Sequence, residues 1–276
     1  MPDFVETSDT VLVIGATSGI GKALAVKLHQ AGKTVIVTGR RQERLDELSK
    51  ELDHERVFTV QWDISDLSGI KAMANTLIQH YGSRMNAVVI VSGLQRTTDF
   101  TNPEGLDFTS IQTEITTNFT AYIHLIAAFL PHLTKLGKTK SPWIGIVSSE
   151  LAIVPMSRTP VYNGTKAAIH QAVLSIRRQL EKAGSPVSLV EVFPPITSCA
   201  CCTNLYEEVA TELHDVKNQP DLKGDTKPAM PLDEFTEELW QGLEEGKIDI
   251  PCGRAKDAWE KVDAPRQELF RAAGGV

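Results

Sequence analysis

Between an apolar run, Thr10-Val11-Leu12-Val13-Ile14, and an amphipathic stretch from Ile20 to Gln30 lies Gly15-Ala16-Thr17-Ser18-Gly19-Ile20-Gly21. No other feature narrows the possible folds as much. A buried strand running into a glycine turn that opens a helix is the start of a strand–helix–strand unit. The glycines let the backbone turn sharply and approach an anion, while the helix N-terminus supplies free N–H groups and a positive dipole end. Three glycines at this spacing can arise by accident in a chain with 19 of them, and a purely structural turn is the competing reading. The strand before and the helix after favour a pyrophosphate turn made by Gly15, Thr17, Ser18, Gly19, Ile20 and Gly21.

The rest of the chain repeats the alternation. Strands are expected at 34–38, 57–61, 87–91, 143–147, 187–193 and 248–250. Helices are expected at 41–52, 67–80, 111–136, 161–183, 233–246 and 255–273, with Pro131 kinking or ending the fourth strand's following helix. Continuous apolar strands separated by helices require a parallel sheet covered on both faces. The expectation is a single α/β domain over residues 1–276. It is a Rossmann-type doubly wound parallel sheet of about seven strands, with ligands at the strands' carboxyl ends. Residues 197–231 are polar and interrupted, with one helical stretch near 205–213, and read as a lid over a substrate pocket. Residues 255–276 form a C-terminal helix and tail.

Composition excludes several classes. The apolar fraction of 42%, the charged fraction of 23% and the net charge of −7 fit a soluble protein and argue against a nucleic-acid binder. No apolar run approaches the roughly 20 residues needed to span a bilayer. The start of the chain lacks the basic-then-apolar layout of a secretory signal, so a cytoplasmic location is expected. Of the four cysteines, Cys199, Cys201 and Cys202 are too closely spaced for a zinc site, and no metal is expected. Inert thiols in a reducing compartment are the simpler reading than a reactive one.

Two further patterns carry chemistry. The second strand ends Thr38-Gly39-Arg40-Arg41, without the acid that holds a ribose 2′-hydroxyl in NAD sites. Two arginines there suit the 2′-phosphate of NADP(H), with solvated helix-start arginines as the alternative. Tyr162-Asn163-Gly164-Thr165-Lys166 opens the helix after the fifth strand, and a spacing of four puts Tyr162 and Lys166 on one face. Lys166 is expected to lower the Tyr162 pKa, making it a general acid/base. Ser149, at the end of the fifth strand, can polarise a carbonyl oxygen, or serve only as a turn residue.

The order of glycine turn, Asp63, Asn118, Ser149 and Tyr162 with Lys166 resembles the short-chain dehydrogenase/reductase family over about residues 8–255. That resemblance implies an Asn118, Ser149, Tyr162 and Lys166 tetrad. Tyr162 would be acid/base and Ser149 would orient substrate. Lys166 would bind the nicotinamide ribose, and Asn118 would hold a relay water. It further implies cofactor contacts from Asp63, Ile64, Ser92, Gly93, Pro194 and Thr197, with Asp63 near the adenine or, alternatively, a strand-end cap. Three departures stand out. Ile14 replaces a threonine before the first glycine, Ile90-Val91-Ser92-Gly93 replaces Asn-Asn-Ala-Gly, and Pro194-Pro195 replaces Pro-Gly. The first two imply one polar link between strands exchanged for apolar packing.

The favoured reading is an NADPH-dependent reductase of a ketone or aldehyde, using a small carbonyl/alcohol substrate. An epimerase or biosynthetic enzyme without net redox, and an NADP(H)-binding regulator, are the alternatives. Cys199, Cys201, Leu205 and Tyr206 in the lid, and Leu94, Gln95 and Phe100 after the fourth strand, are expected to wall the pocket. Arg96 and Arg158 could meet an anionic substrate or remain at the surface. Resemblance also implies a homodimer or homotetramer through helices 111–136 and 160–183. Ile123, Ile126, Phe129, Val173 and Ile176 suit either that interface or the core.

Overall fold

A computed structural model describes residues 2–52, 54–195, 197–198 and 230–274. Seven parallel strands form one sheet in the order β3-β2-β1-β4-β5-β6-β9. They are β1 (Thr10–Ile14), β2 (Thr34–Gly39), β3 (Val57–Gln61), β4 (Met85–Ile90), β5 (Trp143–Val147), β6 (Ser188–Phe193) and β9 (Asp249–Pro251). Two short strands, β7 (Thr197–Ser198) and β8 (Met230–Pro231), pair separately. The order reverses between β1 and β4, where a doubly wound sheet opens its ligand crevice.

Alternate strand residues face opposite layers, so a strand covered on both sides is apolar throughout. On one side Val11, Val13 and Trp143 pack against helices α1 (Gly19–Gln30), α2 (Gln42–Glu51) and α7 (Leu232–Glu244). On the other, Leu12, Ile14 and Ile144 meet α3 (Ile70–Tyr81), α5 (Ala121–Leu136) and α6 (Pro160–Lys182).

The helix after β4 differs from the expected 111–136. It starts as α4 (Phe108–Ile115), where Asp107 accepts from the Thr109 and Ser110 amides, and passes through a π-helical turn (Thr116–Thr120) into α5. Pro131 does not end it; the helix continues to Leu136. The C-terminal stretch is likewise interrupted, as α8 (Ala255–Ala258), a π-helical turn (Trp259–Asp263) and α9 (Ala264–Ala272). The helix expected at 205–213 and nearly all of the 197–231 lid lie outside the described residues.

Ile126, Phe129 and Val173 are buried within the chain's own core. They cannot line an interface; Ile123 and Ile176, partly buried, pack on the same cluster. No described helix is long and apolar enough to cross a membrane. Among the described residues no cluster of metal-ligating side chains exists. Cys252 is buried, and burial pushes its thiol up to about 12, so it stays protonated.

Candidate active site

One cleft runs along the carboxyl ends of β1, β2, β4, β5 and β6. At one end it is walled by the glycine turn and the residues after β2, and at the other by Ser149, Tyr162, Lys166 and Pro194. Gly15 has φ +95°, and a Cβ there would lie 2.4 Å from the Ser92 Oγ. At Gly21 a Cβ would lie 2.1 Å from the Gly15 carbonyl oxygen. These positions need glycine because two chain segments touch there. No side chain caps α1 at Ser18, which leaves its first amides directed toward the cleft end. The Arg41 guanidinium donates to Thr17 Oγ1 (3.0 Å) and Ser18 Oγ (3.2 Å), laying a cation across the same turn. Arg40 lines the cleft beside it.

The polar link expected to be lost between β1 and β4 is carried by backbone instead. Both the Val91 and Ser92 amides donate to the Ile14 carbonyl, at 2.9 and 3.2 Å. Asp63 lines the cleft and accepts from the Ser65 amide (2.9 Å) and hydroxyl (2.7 Å), so it also acts as the strand-end cap. Ile64, Ser92, Gly93 and Pro194 line the cleft as expected. Thr197 is described only as backbone in β7, and its proposed side-chain contact lies outside what is described.

At the far end, Ser149 hydrogen-bonds Tyr162 and accepts from the Leu151 amide at 3.1 Å. Lys166 is 2% exposed; its Nζ donates to the Val147 carbonyl (2.8 Å) and lies 5.6 Å from the Tyr162 ring centre and 5.4 Å from that of Tyr122. Burial lowers the Lys166 pKa to about 8, with Glu191 opposing. The Tyr162 pKa moves up, contrary to the sequence-based expectation. Burial raises it most, the Ser149 hydrogen bond pulls it back and Glu114 adds to the rise. Desolvation of the phenolate dominates, and the Lys166 ammonium, turned to the Val147 carbonyl, is not among the groups that shift it.

Asn118 sits in the π-helical turn but does not line the cleft. Its Oδ1 accepts from the Leu94 amide (2.8 Å), and its Nδ2 donates to the Leu94 carbonyl (2.7 Å) and Thr165 Oγ1 (3.2 Å). With these contacts the side chain clamps the loop after β4 to α6.

The structure also supplies residues that the sequence reading missed. Tyr122 donates to the Ser92 carbonyl at 2.7 Å and so supports the cleft wall. Glu150 lines the cleft and pairs with Arg254 through two Nε contacts of 2.8 and 2.9 Å. Glu114 is a buried carboxyl whose charge opposes ionisation of Tyr162. Only its position one turn before Asn118 on an amphipathic helix could have singled it out. Leu94 and Gln95 line the cleft as expected, whereas Phe100 is 62% exposed and does not. Arg96 donates to the Ser110 carbonyl (3.3 Å) and Arg158 to Thr97 Oγ1 (3.4 Å), so both bind the protein itself.

A glycine turn at the reversal of a doubly wound sheet, joined by one cleft to a Ser–Tyr–Lys cluster, defines a dinucleotide-type oxidoreductase scaffold. The short chain dehydrogenase model matches residues 9–210, and the chain belongs to that family. It is 32% identical to the uncharacterized oxidoreductase DltE of Bacillus subtilis (strain 168), over 96% of both chains. Sulfoacetaldehyde reductase 2 of Chromohalobacter salexigens is 32% identical over 68% of this chain and 72% of its own. In fold, the chain is similar to a short-chain dehydrogenase from Sphingobium yanoikuyae in complex with NADPH. The TM-score there is 0.73 at 22% identity, over 95% of both chains.

Proposed function

We propose that this protein is an NADP(H)-dependent reductase that converts a small ketone or aldehyde to the alcohol. The observation that carries the reading is one cleft with a cation-topped glycine turn at one end and Ser149, Tyr162 and Lys166 at the other. The residues fit the cofactor. The uncapped start of α1 and the close-packed Gly15 and Gly21 suit a pyrophosphate, and Arg41 with Arg40 suits a 2′-phosphate. When bound, NADPH supplies the hydride.

The protein's part is to bind, orient and move one proton. Ser149 donates to the substrate carbonyl oxygen and fixes its position. The Tyr162 hydroxyl, held protonated by burial, delivers its proton to that oxygen as negative charge develops. Lys166, with its ammonium against Tyr162, is placed to stabilise the phenolate left behind and to meet a ribose hydroxyl. Asn118 holds the loop and helix at the separation this geometry needs. A sulfoacetaldehyde reductase among the relatives supports an aldehyde or ketone as the acceptor.

The test is NADPH oxidation with a panel of aldehydes and ketones, by the wild type and by Tyr162→Phe. The variant should retain NADPH binding and lose on the order of 10²–10⁴ in turnover. Undiminished turnover in Tyr162→Phe would remove Tyr162 from the chemistry.

A further inference from the structure

Glu114 is 1% exposed, on α4, one turn before Asn118. The Arg96 backbone amide hydrogen-bonds its carboxyl, while Oε1 has no hydrogen-bond partner among the described residues. Clamping the loop would need one acceptor oxygen, which a glutamine supplies without a charge. A buried carboxyl with a bare oxygen is costly, and such groups call for an explanation. Helices α4–α5 and α6 both follow strands of a parallel sheet, so they run in the same direction. Asn118 meets Thr165 across them. One turn earlier on each helix stand Glu114 and Tyr162, and the carboxylate opposes ionisation of the phenol.

We propose that Glu114 is a positioning residue acting through Tyr162: a half-capped buried carboxyl, set one turn before Asn118 on the helix packed beside α6, whose charge disfavours the phenolate that proton donation leaves. The proposal rests on the reading of Tyr162 as the proton donor. Burial pushes the Glu114 pKa up to about 7, with the Arg96 guanidinium opposing. Its charge therefore changes across the neutral range. The other charged or titratable groups around the pair are Tyr122 from α5, Lys166 from α6, Arg96 from the loop after β4, and Asp107, which also feels Arg96. Glu191 of β6 acts on Lys166 from below.

The sign follows from like-charge repulsion. Above about 7, Glu114 is negative and phenolate is disfavoured; below, Glu114 is neutral and that restraint is gone. Burial already keeps the phenol protonated, so the added charge makes Tyr162 a weaker acid in carbonyl reduction and its phenolate, once formed, a stronger base for alcohol oxidation. The overall equilibrium is unaffected, so the pH dependences of the two directions must move together.

Glu114→Gln keeps an acceptor for the Arg96 amide and removes the charge. Tyr162 ionisation is read as phenolate ultraviolet absorbance in NADP⁺-saturated protein, where the cationic nicotinamide favours phenolate, with Tyr162→Phe as blank. Glu114→Gln should lower the Tyr162 midpoint by on the order of one pH unit at unchanged fold. In cofactor-free wild type, the infrared band of a protonated carboxyl should fade as pH rises through about 7, and be missing in the variant. Equal Tyr162 midpoints in wild type and Glu114→Gln would overturn the proposal. Should the variant not fold, a wild-type spectrum without a carboxyl titrating near neutrality would overturn it equally. Failure of the Tyr162 reading is distinct, because it would show as retained turnover in Tyr162→Phe with these titrations unaffected.

Discussion

Arg41 occupies the N-cap of α2, a place that favours Asp, Asn, Ser or Thr, and its cation faces that helix's positive end. What it gains in exchange is contact with Thr17 and Ser18 on the glycine turn. If its main partner is a 2′-phosphate, Arg41→Ala should weaken NADPH binding about 10–100-fold, the range of one or two charge-assisted hydrogen bonds. NADH binding should change little. Nicotinamide fluorescence titration with both nucleotides reads the difference. Equal losses for both would make Arg41 a brace for the glycine turn rather than a selector. Tyr162 makes the complementary point: its neighbour Lys166 was legible from spacing, but the direction of its pKa was decided by burial, which spacing does not encode.

Helix α6 joins the candidate site to the far end of the chain. Its first turns carry Tyr162 and Lys166; one turn on, fully buried His170 bonds Glu191 of β6 and Asp263 before α9, each at 2.9 Å. Arg266 and Gln267 bond Asp263 as well. Burial alone would lower the His170 pKa, but its bonds to Asp263 and Glu191 outweigh that and raise it from 6.5 to about 9. For Asp263 burial acts upward, and the bonds from His170 and Gln267 bring it from 3.8 down to about 2. A raised histidine contributes fully below 6.5 and loses that contribution as pH rises through about 9. A lowered aspartate contributes above 3.8 and loses it as pH falls through about 2. The network therefore stabilises most between 3.8 and 6.5. His170→Gln should cost about 3 kcal/mol there, the scale of a broken buried pair. Its Tm deficit against wild type should shrink toward pH 9. A deficit independent of pH would mean a neutral His170.

Across the whole molecule, the N-terminal segment closes the end of the sheet opposite the cleft. Phe4 is fully buried, 5.5 Å from the Trp143 ring, and its amide donates to the Leu243 carbonyl of α7. The Trp143 indole donates to Ser8 Oγ at 3.0 Å. Phe4→Ala should cost about 3–5 kcal/mol in urea unfolding, since a large cavity opens between β5 and α7. Because the ligand cleft lies at the other ends of the strands, NADPH affinity of the folded variant should be unchanged.

The architecture was legible because its signals are local. Continuous apolar strands, helical spacing and a glycine turn each depend on neighbours along the chain, and they specified the doubly wound sheet and the Gly15, Ser149, Tyr162 and Lys166 positions. What depends on neighbours across space was not. The π-helical turn at 116–120, the backbone link from Ile14 to Val91 and Ser92, and the core burial of Phe129 and Val173 follow from packing between distant segments. The same holds for the charge environment. Glu114, His170, Glu191 and Asp263 are ordinary helix and strand residues in the sequence, and only burial and mutual proximity give them shifted pKa values or buried partners. The sequence by itself determined the order of elements and brought the glycine turn, Ser149, Tyr162 and Lys166 to the cleft, but not Glu150, and it placed Phe100 there wrongly. The tertiary structure decided how each one is charged, because desolvation and Coulomb interactions depend on distance in space rather than along the chain.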